Sequence, residues 1–220
     1  MIQAVIFDMD GLMFDTEHLA FKGYQKASDE MGFPFTIDLF KQMCGLSVTK
    51  SHELLEKWFN GKFDFFQADE ICSAYMKSYL DTHPVPLKKG LMELLIYLRR
   101  RSFPAAIATS TPRRSASKLW QSSGVLDYIQ QTVCGDEVQK GKPDPEIFLT
   151  AAKKLNVDPK ECLILEDSYN GIRAAHAAGG KACMVPDMCE PIPEIAGLCD
   201  YICDDLLQVI KILDKELIAN

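Results

Sequence analysis

Ala4-Val5-Ile6-Phe7-Asp8-Met9-Asp10-Gly11 joins a run of four apolar residues to two carboxylates and a glycine. The apolar run predicts a buried β-strand, and the two acids follow at its carboxyl end. In an open parallel α/β sheet, ligands bind in the crevice beyond the carboxyl ends of the strands, so these acids would point into that crevice. Aspartate and glycine also form ordinary turns after strands, so residues 8–11 alone leave that structural interpretation open.

The composition is that of an ordinary globular protein. The chain has 220 residues, of which 47% are hydrophobic and 25% are charged, and this length suffices for one core domain and a smaller second domain. The formal net charge of -7 argues against nucleic acid or an anionic membrane as a partner, because both require a basic surface. Eight cysteines without a CxxC pair favour reduced thiols. We therefore expect a cytoplasmic protein without a membrane-spanning segment, and we expect it to be a monomer.

Two patterns of hydrophobic residues divide the chain. Residues 16–84 show helical periodicity, and we expect their apolar stripe, which includes Tyr24, Leu55 and Trp58, to form the core of a helical module. From Gly90 onward, helical segments alternate with short apolar strands, as in a parallel sheet with helices on both faces. The predicted fold class is α/β: residues 1–15 and 85–220 form a Rossmann-like, doubly wound parallel sheet, and residues 16–84 form an inserted α-helical cap.

Polar residues of complementary kinds stand at the ends of the predicted strands. They are Asp8 and Asp10 after residues 4–7, Thr109 and Ser110 at the end of 105–110, Glu166 and Asp167 at the end of 162–166, and Lys142 between a glycine and a proline. If these strands are parallel neighbours, four carboxylates, two hydroxyls and one ammonium converge on one edge of the sheet. Such a convergence favours a functional site over a set of ordinary turns.

Charge limits the chemistry that this cluster can perform. Four carboxylates and one lysine carry a net charge of about -3, which favours a bound cation or raised pKa values. The candidate ligands are oxygen atoms and no histidine lies in these motifs, so we expect Mg²⁺ rather than zinc or copper. With Mg²⁺ bound, Thr109, Ser110, Lys142 and backbone N–H groups could hold a phosphoryl group.

The two aspartates of the first motif can have different roles. Asp8, once its charge is offset by a metal ion, could attack phosphorus in line and form an aspartyl-phosphate. Asp10 could protonate the leaving oxygen and then take a proton from the water that hydrolyses this intermediate.

These motifs resemble those of the haloacid dehalogenase-like (HAD) superfamily, in the subgroup with a helical cap inserted after the first motif. The matching residues are Asp8-Met9-Asp10-Gly11 with Asp15-Thr16, then Thr109-Ser110, Lys142-Pro143, and Glu166-Asp167-Ser168 with Gly171 and Ala174-Ala175. The match covers nearly the whole chain. The resemblance implies that Asp8 is the nucleophile and Asp10 the acid and base, and that Thr109 and Lys142 hold phosphate. It also implies a Mg²⁺ site made by Asp8, Glu166, Asp167 and the backbone carbonyl of Asp10.

Within the superfamily the chain is most similar to the β-phosphoglucomutase-like group, with two departures. Ala20 stands where the mutase has a cap histidine, and an alignment on Cys44-Gly45-Leu46-Ser47 places Val48 where it has a cap arginine for the second phosphate. A mutase must hold a bisphosphate at both ends, and the missing arginine removes a bidentate, charge-assisted contact. These departures favour a hydrolase.

The sequence therefore predicts a Mg²⁺-dependent phosphatase that hydrolyses a small phosphorylated metabolite, such as a sugar phosphate, through an aspartyl-phosphate. One alternative is a phosphomutase of the β-phosphoglucomutase type. A second alternative is not an enzyme: a phospho-accepting receiver module also combines clustered acids, a serine or threonine, a lysine and a phosphorylated aspartate. Receivers lack a helical insert of this length, which favours the enzyme.

Overall fold

The structure, a computed structural model, describes residues 1–43 and 48–218. The alignment segment at residues 44–47, on which the comparison with the mutase's cap arginine depends, lies outside the described residues. The chain divides into two compact units, Met1–Asp15 with Pro86–Asn220 and Thr16–Val85. In the described part of the chain, no helix combines the length and the apolarity that crossing a membrane requires.

The unit at residues 16–85 is helical. Its helices are α1 (Thr16–Met31), α2 (Ile37–Met43), α3 (Val48–Trp58) and α4 (Phe65–Thr82). Helices α1 and α4 pack closely because Gly23 has no side chain: a Cβ there would lie 2.7 Å from the sulfur of Cys72. The Tyr24 hydroxyl, also on α1, donates to Asp69 on α4 at 3.0 Å. Side-chain packing and this partly buried hydrogen bond hold the two helices together.

The prediction that Trp58 fills the core is wrong, because 53% of this residue is exposed. The buried positions of α3 follow a spacing of four residues, from Ser51 to Leu55, and the next position along this row is Phe59. Phe59 stacks on Phe63 with ring centroids 4.9 Å apart. Trp58 lies beside this row, and its ring faces solvent.

The other unit is built on one parallel sheet, which has six strands in the described residues. They are β1 (Ala4–Phe7), β2 (Ala105–Thr109), β3 (Gln131–Cys134), β4 (Cys162–Glu166), β5 (Lys181–Met184) and β6 (Tyr201–Ile202). Every residue of β1, β2 and β4 is buried. Continuous apolar runs such as these are typical of strands that are covered on both faces of a parallel sheet.

Helices cover this sheet, as the alternating pattern predicts. They are α5 (Leu91–Arg100), α6 (Arg113–Ser123), α7 (Glu146–Leu155), α8 (Tyr169–Ala177), α9 (Pro193–Ala196) and α10 (Leu206–Ile218), with short 3-10 helices at Val125–Tyr128, Gly135–Glu137 and Pro159–Glu161. Ile147 and Phe148 of α7 and Ile172 of α8 belong to one core cluster with Ile6 and Ile164 of the sheet. The predicted doubly wound α/β fold is confirmed.

The strand order is β3-β2-β1-β4-β5-β6. The chain first extends the sheet from β1 toward β3 and then returns to the other side of β1 with β4. The order therefore reverses between β1 and β4, and in such sheets the crevice beyond the carboxyl ends of these two strands is where ligands bind.

Candidate active site

The two strands beside this reversal carry the predicted acids. Asp8 follows β1, and its backbone N–H donates to the carbonyl of Leu165 on β4 at 2.9 Å. Glu166 is the last residue of β4, and Asp167 follows it. One carboxylate oxygen from each of Asp8, Glu166 and Asp167 lies within 4.8 Å of the others, and all three residues are buried. The fold thus concentrates negative charge where β1 and β4 end.

Lys142 supplies a positive charge inside this cluster. Its ammonium forms ion pairs with Asp8 and with Glu166, the latter at 2.6 Å, and donates to the carbonyl oxygen of Ala108 on β2 at 3.2 Å. The Lys142 side chain is only 6% exposed, and its nitrogen lies 4.7 Å from the ring centre of Phe148 on α7. The partners of Lys142 therefore come from the residue that follows β1, from β2, from β4 and from α7, and they hold the lysine inside the site, away from solvent.

Glu166 is held by hydrogen bonds from its own strand end. One of its oxygens accepts from the backbone N–H groups of Asp167 (3.0 Å) and Ser168 (2.9 Å) and from the Ser168 hydroxyl (3.0 Å), while the other accepts from Lys142. Gly171, in the first turn of α8, makes room for this carboxylate: a Cβ at this position would lie 1.7 Å from it. Glu166 therefore holds the Lys142 ammonium in a fixed position.

The charges of this cluster shift the pKa values of its members. Burial raises the pKa of the Asp8 carboxyl to about 8; the Lys142 ammonium opposes this increase, and the charges of Glu166 and Asp10 add to it. Burial alone would lower the pKa of Lys142, but Asp8 and Glu166 outweigh burial and hold that pKa above its ordinary value. One ammonium balances one of its two buried carboxylates, and the second negative charge favours a proton on Asp8 or another cation nearby.

The surroundings of Asp167 fit a small divalent cation. Gly11, in the loop after β1, has a φ of +80°, and a Cβ at this residue would lie 2.3 Å from an oxygen of Asp167. Only glycine leaves this space open for the carboxylate. The donors that converge here are carboxylate oxygens, and small, hard cations such as Mg²⁺ prefer oxygen ligands. The donor set of Asp8, Glu166 and Asp167 is therefore compatible with the expected Mg²⁺, and the absence of a side chain at Gly11 lets the Asp167 carboxylate take its place in that set.

Asp10 is held by hydroxyl groups at the end of β2 and just beyond it. Thr111 donates from its hydroxyl to Asp10 at 2.6 Å, and the buried Thr109 donates more weakly to the same oxygen at 3.4 Å. The Thr109 hydroxyl also accepts from the backbone N–H of Thr111 at 3.0 Å. Ser110, which the sequence predicts as a phosphate contact, is exposed between these two threonines.

Thr111 is a site residue that the sequence analysis missed. Side chains alternate between the two faces of an extended chain, so Thr109 and Thr111 belong on the same side and Ser110 on the other. The spacing of two residues in Thr109-Ser110-Thr111 was the available signal. The carbonyl of Ala108 as a partner of Lys142 carried no such signal, because any residue supplies a carbonyl.

These features define a class of protein. The doubly wound sheet presents a buried aspartate paired to a lysine, a second aspartate two residues later, and a cluster of oxygen ligands beside them. Such a site is suited to phosphoryl transfer, because that reaction depends on positioning the phosphate and on offsetting its negative charge.

Comparisons with known proteins agree with this class. Residues 5–185 match the model of the family described as haloacid dehalogenase-like hydrolase, so the chain belongs to that family. A phosphorylated carbohydrates phosphatase of Thermotoga maritima is 34% identical over 178 residues, which cover 81% of this chain and 82% of that protein. A β-phosphoglucomutase of Bacillus subtilis is 31% identical over 184 residues, with coverages of 81% and 80%. The crystal structure of a β-phosphoglucomutase from Clostridium difficile has the same fold, with a TM-score of 0.77, 24% identity and complete coverage of both chains.

The predicted family and the predicted enzyme class are thus confirmed. The receiver module loses its support, because the matching family is one of hydrolases. The individual roles of Asp8, Asp10, Thr109, Ser110, Lys142, Glu166 and Asp167 stay predictions, although the structure places most of them in contact.

Proposed function

We propose that this protein is a Mg²⁺-dependent phosphatase that hydrolyses a small phosphorylated carbohydrate through a phosphoryl group carried on Asp8. The observation that supports this most directly is the position of Asp8: it is buried at the reversal of strand order, paired with Lys142 and within 4.8 Å of the oxygen ligands Glu166 and Asp167. A carboxylate placed in this way faces positive charge on both sides once a divalent cation is bound, as an attack on a phosphate monoester requires.

The first step is attack of an Asp8 oxygen on phosphorus. The new bond joins this oxygen to phosphorus while the bond from phosphorus to the carbohydrate oxygen breaks, and that oxygen takes a proton from Asp10. In the second step Asp10 accepts a proton from water, the water oxygen binds phosphorus, and Asp8 is released with inorganic phosphate as the product. The hydrogen bond from Thr111 holds Asp10 in place for both proton transfers.

Residues of this chain suited to hold Mg²⁺ are Asp8 and Asp167, with the backbone carbonyl of Asp10. Glu166 is also within reach, although its oxygens already accept hydrogen bonds from four donors, and we assign it mainly to positioning Lys142. When bound, the ion supplies positive charge that offsets the Asp8 carboxylate and the phosphate oxygens. Lys142 and Thr109 complete the phosphate site, and Ser110 contributes through its backbone N–H.

A phosphate-release screen tests this function. Purified protein with Mg²⁺ is offered sugar phosphates, nucleotides, short-chain phosphates and an aryl phosphate, and released phosphate is measured. We expect multiple turnovers on at least one sugar phosphate, and loss of this activity in Asp8→Asn and after chelation of the metal. Activity that survives the Asp8→Asn substitution would contradict the covalent mechanism, and activity that survives chelation would contradict the metal.

A second candidate function is phosphomutase activity, because the Bacillus subtilis relative named as a β-phosphoglucomutase is 31% identical. The same screen distinguishes the two functions when a sugar bisphosphate is added and the sugar products are also analysed. A mutase would convert one sugar phosphate into its isomer, would need a bisphosphate for full activity and would release little free phosphate. A phosphatase would release phosphate in proportion to substrate consumed and would gain nothing from the bisphosphate.

A cytoplasmic location and a monomeric state stay predictions of the sequence, together with the absence of nucleic acid and membrane partners.

A further inference from the structure

Lys88 and Asp187 form a partly buried ion pair outside the motifs that define the family. The two charged groups are 2.6 Å apart, and the Asp187 side chain is only 1% exposed. The Lys88 ammonium also lies 3.6 Å from a carboxylate oxygen of Asp15, so the lysine has an acidic neighbour besides Asp187. Burying a charged pair gives little net stability on its own. Because Asp15 already offers the lysine a negative charge, the buried Asp187 carboxylate suggests a role other than neutralising Lys88.

Asp187 lies next to the proposed metal site. It stands three residues beyond β5, at the same carboxyl edge of the sheet as Asp8 and Asp167. A Cβ placed on Gly11 would lie 2.3 Å from an oxygen of Asp167 and 3.3 Å from an oxygen of Asp187. The two carboxylates thus both lie against Gly11, and the one ammonium of Lys88 serves Asp15 as well as Asp187.

We infer that Asp187 is a positioning residue of the metal site: its carboxylate accepts a hydrogen bond from water that hydrates the cation, and Lys88 holds the carboxylate in this orientation. The inference rests on the proposed function, which supplies the cation. Mg²⁺ gives up its water reluctantly and usually keeps several water molecules when protein carboxylates bind it. Groups that hold such water or orient the direct ligands typically change metal affinity by about 10- to 100-fold.

The test is the affinity for Mg²⁺ of substrate-free protein, measured by titration calorimetry. The informative variant is Lys88→Met with Asp187→Leu, which removes the acceptor but keeps the net charge of the pair at zero. Buried ion pairs replaced by apolar residues of similar volume usually retain stability. The matched control is Lys181→Met with Glu216→Leu, which removes another ion pair, with its charged groups 3.0 Å apart. Lys181 is the first residue of β5, so this pair lies at the end of the strand opposite to Asp187.

We expect the Lys88→Met/Asp187→Leu protein to bind Mg²⁺ about tenfold more weakly than the wild type, and the control protein to bind it within about twofold of the wild type. Affinity within about twofold of the wild type in the Lys88→Met/Asp187→Leu protein would overturn the inference. If that protein fails to fold by circular dichroism, Asp187→Asn decides the matter in the same way: weaker binding supports the role, and unchanged binding overturns it.

The substitution Asp167→Asn separates this inference from the proposed function. If the wild type binds Mg²⁺ and Asp167→Asn abolishes binding while the Asp187 variants retain it, only the role of Asp187 is overturned. If the wild type shows no binding that depends on Asp167, the metal site itself is overturned, and the inference falls with it. A merely structural pair would lower the melting temperature of the metal-free protein without changing the affinity for Mg²⁺.

Discussion

Binding of Mg²⁺ should displace a proton from Asp8, and the amount should depend on pH. Burial raises the pKa of this carboxyl to about 8 in the metal-free protein. A carboxyl with this pKa is about nine-tenths protonated at pH 7 and about one-tenth protonated at pH 9. The cation requires the ionised form, so the proton and the cation compete for Asp8.

The expected magnitudes follow from these fractions. Binding should release about 0.9 protons at pH 7 and about 0.1 protons at pH 9, and the apparent affinity for Mg²⁺ should increase about tenfold between these pH values. The sign is set by the raised pKa: the protonated state is favoured below about pH 8, so acid weakens metal binding and alkali strengthens it.

Titration calorimetry in two buffers of different ionisation enthalpy measures the released protons directly. At pH 7 the observed heat should differ between the buffers by nearly the full difference of their ionisation enthalpies, and at pH 9 this difference should nearly vanish. Asp8→Asn, which removes the titrating group, should show no such buffer dependence at either pH. A heat of binding that is the same in both buffers at pH 7 would refute the reasoning.

Three further substitutions test other contacts of the site. Lys142→Met should lower the free energy of unfolding of the metal-free protein by about 3–5 kcal/mol, because it leaves the buried Glu166 carboxylate, with Asp8 beside it, without a cation. The control Lys154→Met removes the partly exposed ion pair with Glu137 and should lower the free energy of unfolding by less than about 1 kcal/mol. Equal effects of the two substitutions in urea denaturation would contradict the role of Lys142 as the cation of a buried acidic cluster. Gly171→Ala should lower the free energy of unfolding by about 1–3 kcal/mol, because the new Cβ would meet the buried Glu166 carboxylate. In the control Gly197→Ala, the nearest atom would be 3.5 Å from the new Cβ, and the free energy of unfolding should change by less than about 0.5 kcal/mol. A melting curve of Gly171→Ala like that of the wild type would argue against the close packing at this residue. Thr111→Val should lower kcat by about ten- to hundredfold, because it removes the hydrogen bond to the Asp10 carboxylate. Thr111→Ser keeps the hydroxyl and should retain most of the wild-type kcat. A valine variant with normal kcat would exclude the positioning role of Thr111.

The sheet and its acidic edge were predictable from sequence because both follow from local patterns. Strands buried on both faces must be continuously apolar, and β1 and β4 meet this condition up to their last residues. The carboxyl ends of parallel strands lie at one edge of a sheet, so acids that end such strands must be near each other. The proximity of Asp8 and Asp167 could therefore be predicted from the sequence alone.

Other features depend on geometry that a linear pattern does not contain. Trp58 fits the apolar stripe of a helix as well as Leu55 does, and only the packing of α3 decides which of them is buried. The pair of Lys88 and Asp187 joins residues almost one hundred positions apart, and neither lies in a recognisable motif. Thr111 is intermediate, because the alternation of side chains along an extended chain would have identified it.

The most direct test of the nucleophilic role of Asp8 uses Asp10→Asn and an aryl phosphate. An aryl leaving group needs no proton, so the first step should proceed in this variant, while the second step lacks its base and the phosphoryl group should accumulate on the protein. We expect a burst of one phenol product per protein molecule. We also expect each protein molecule to carry a single phosphoryl group, which peptide mapping after acid quench places on Asp8. An equal burst from the Asp8→Asn/Asp10→Asn protein, or a phosphoryl group on any other residue, would contradict the assignment of Asp8 as nucleophile.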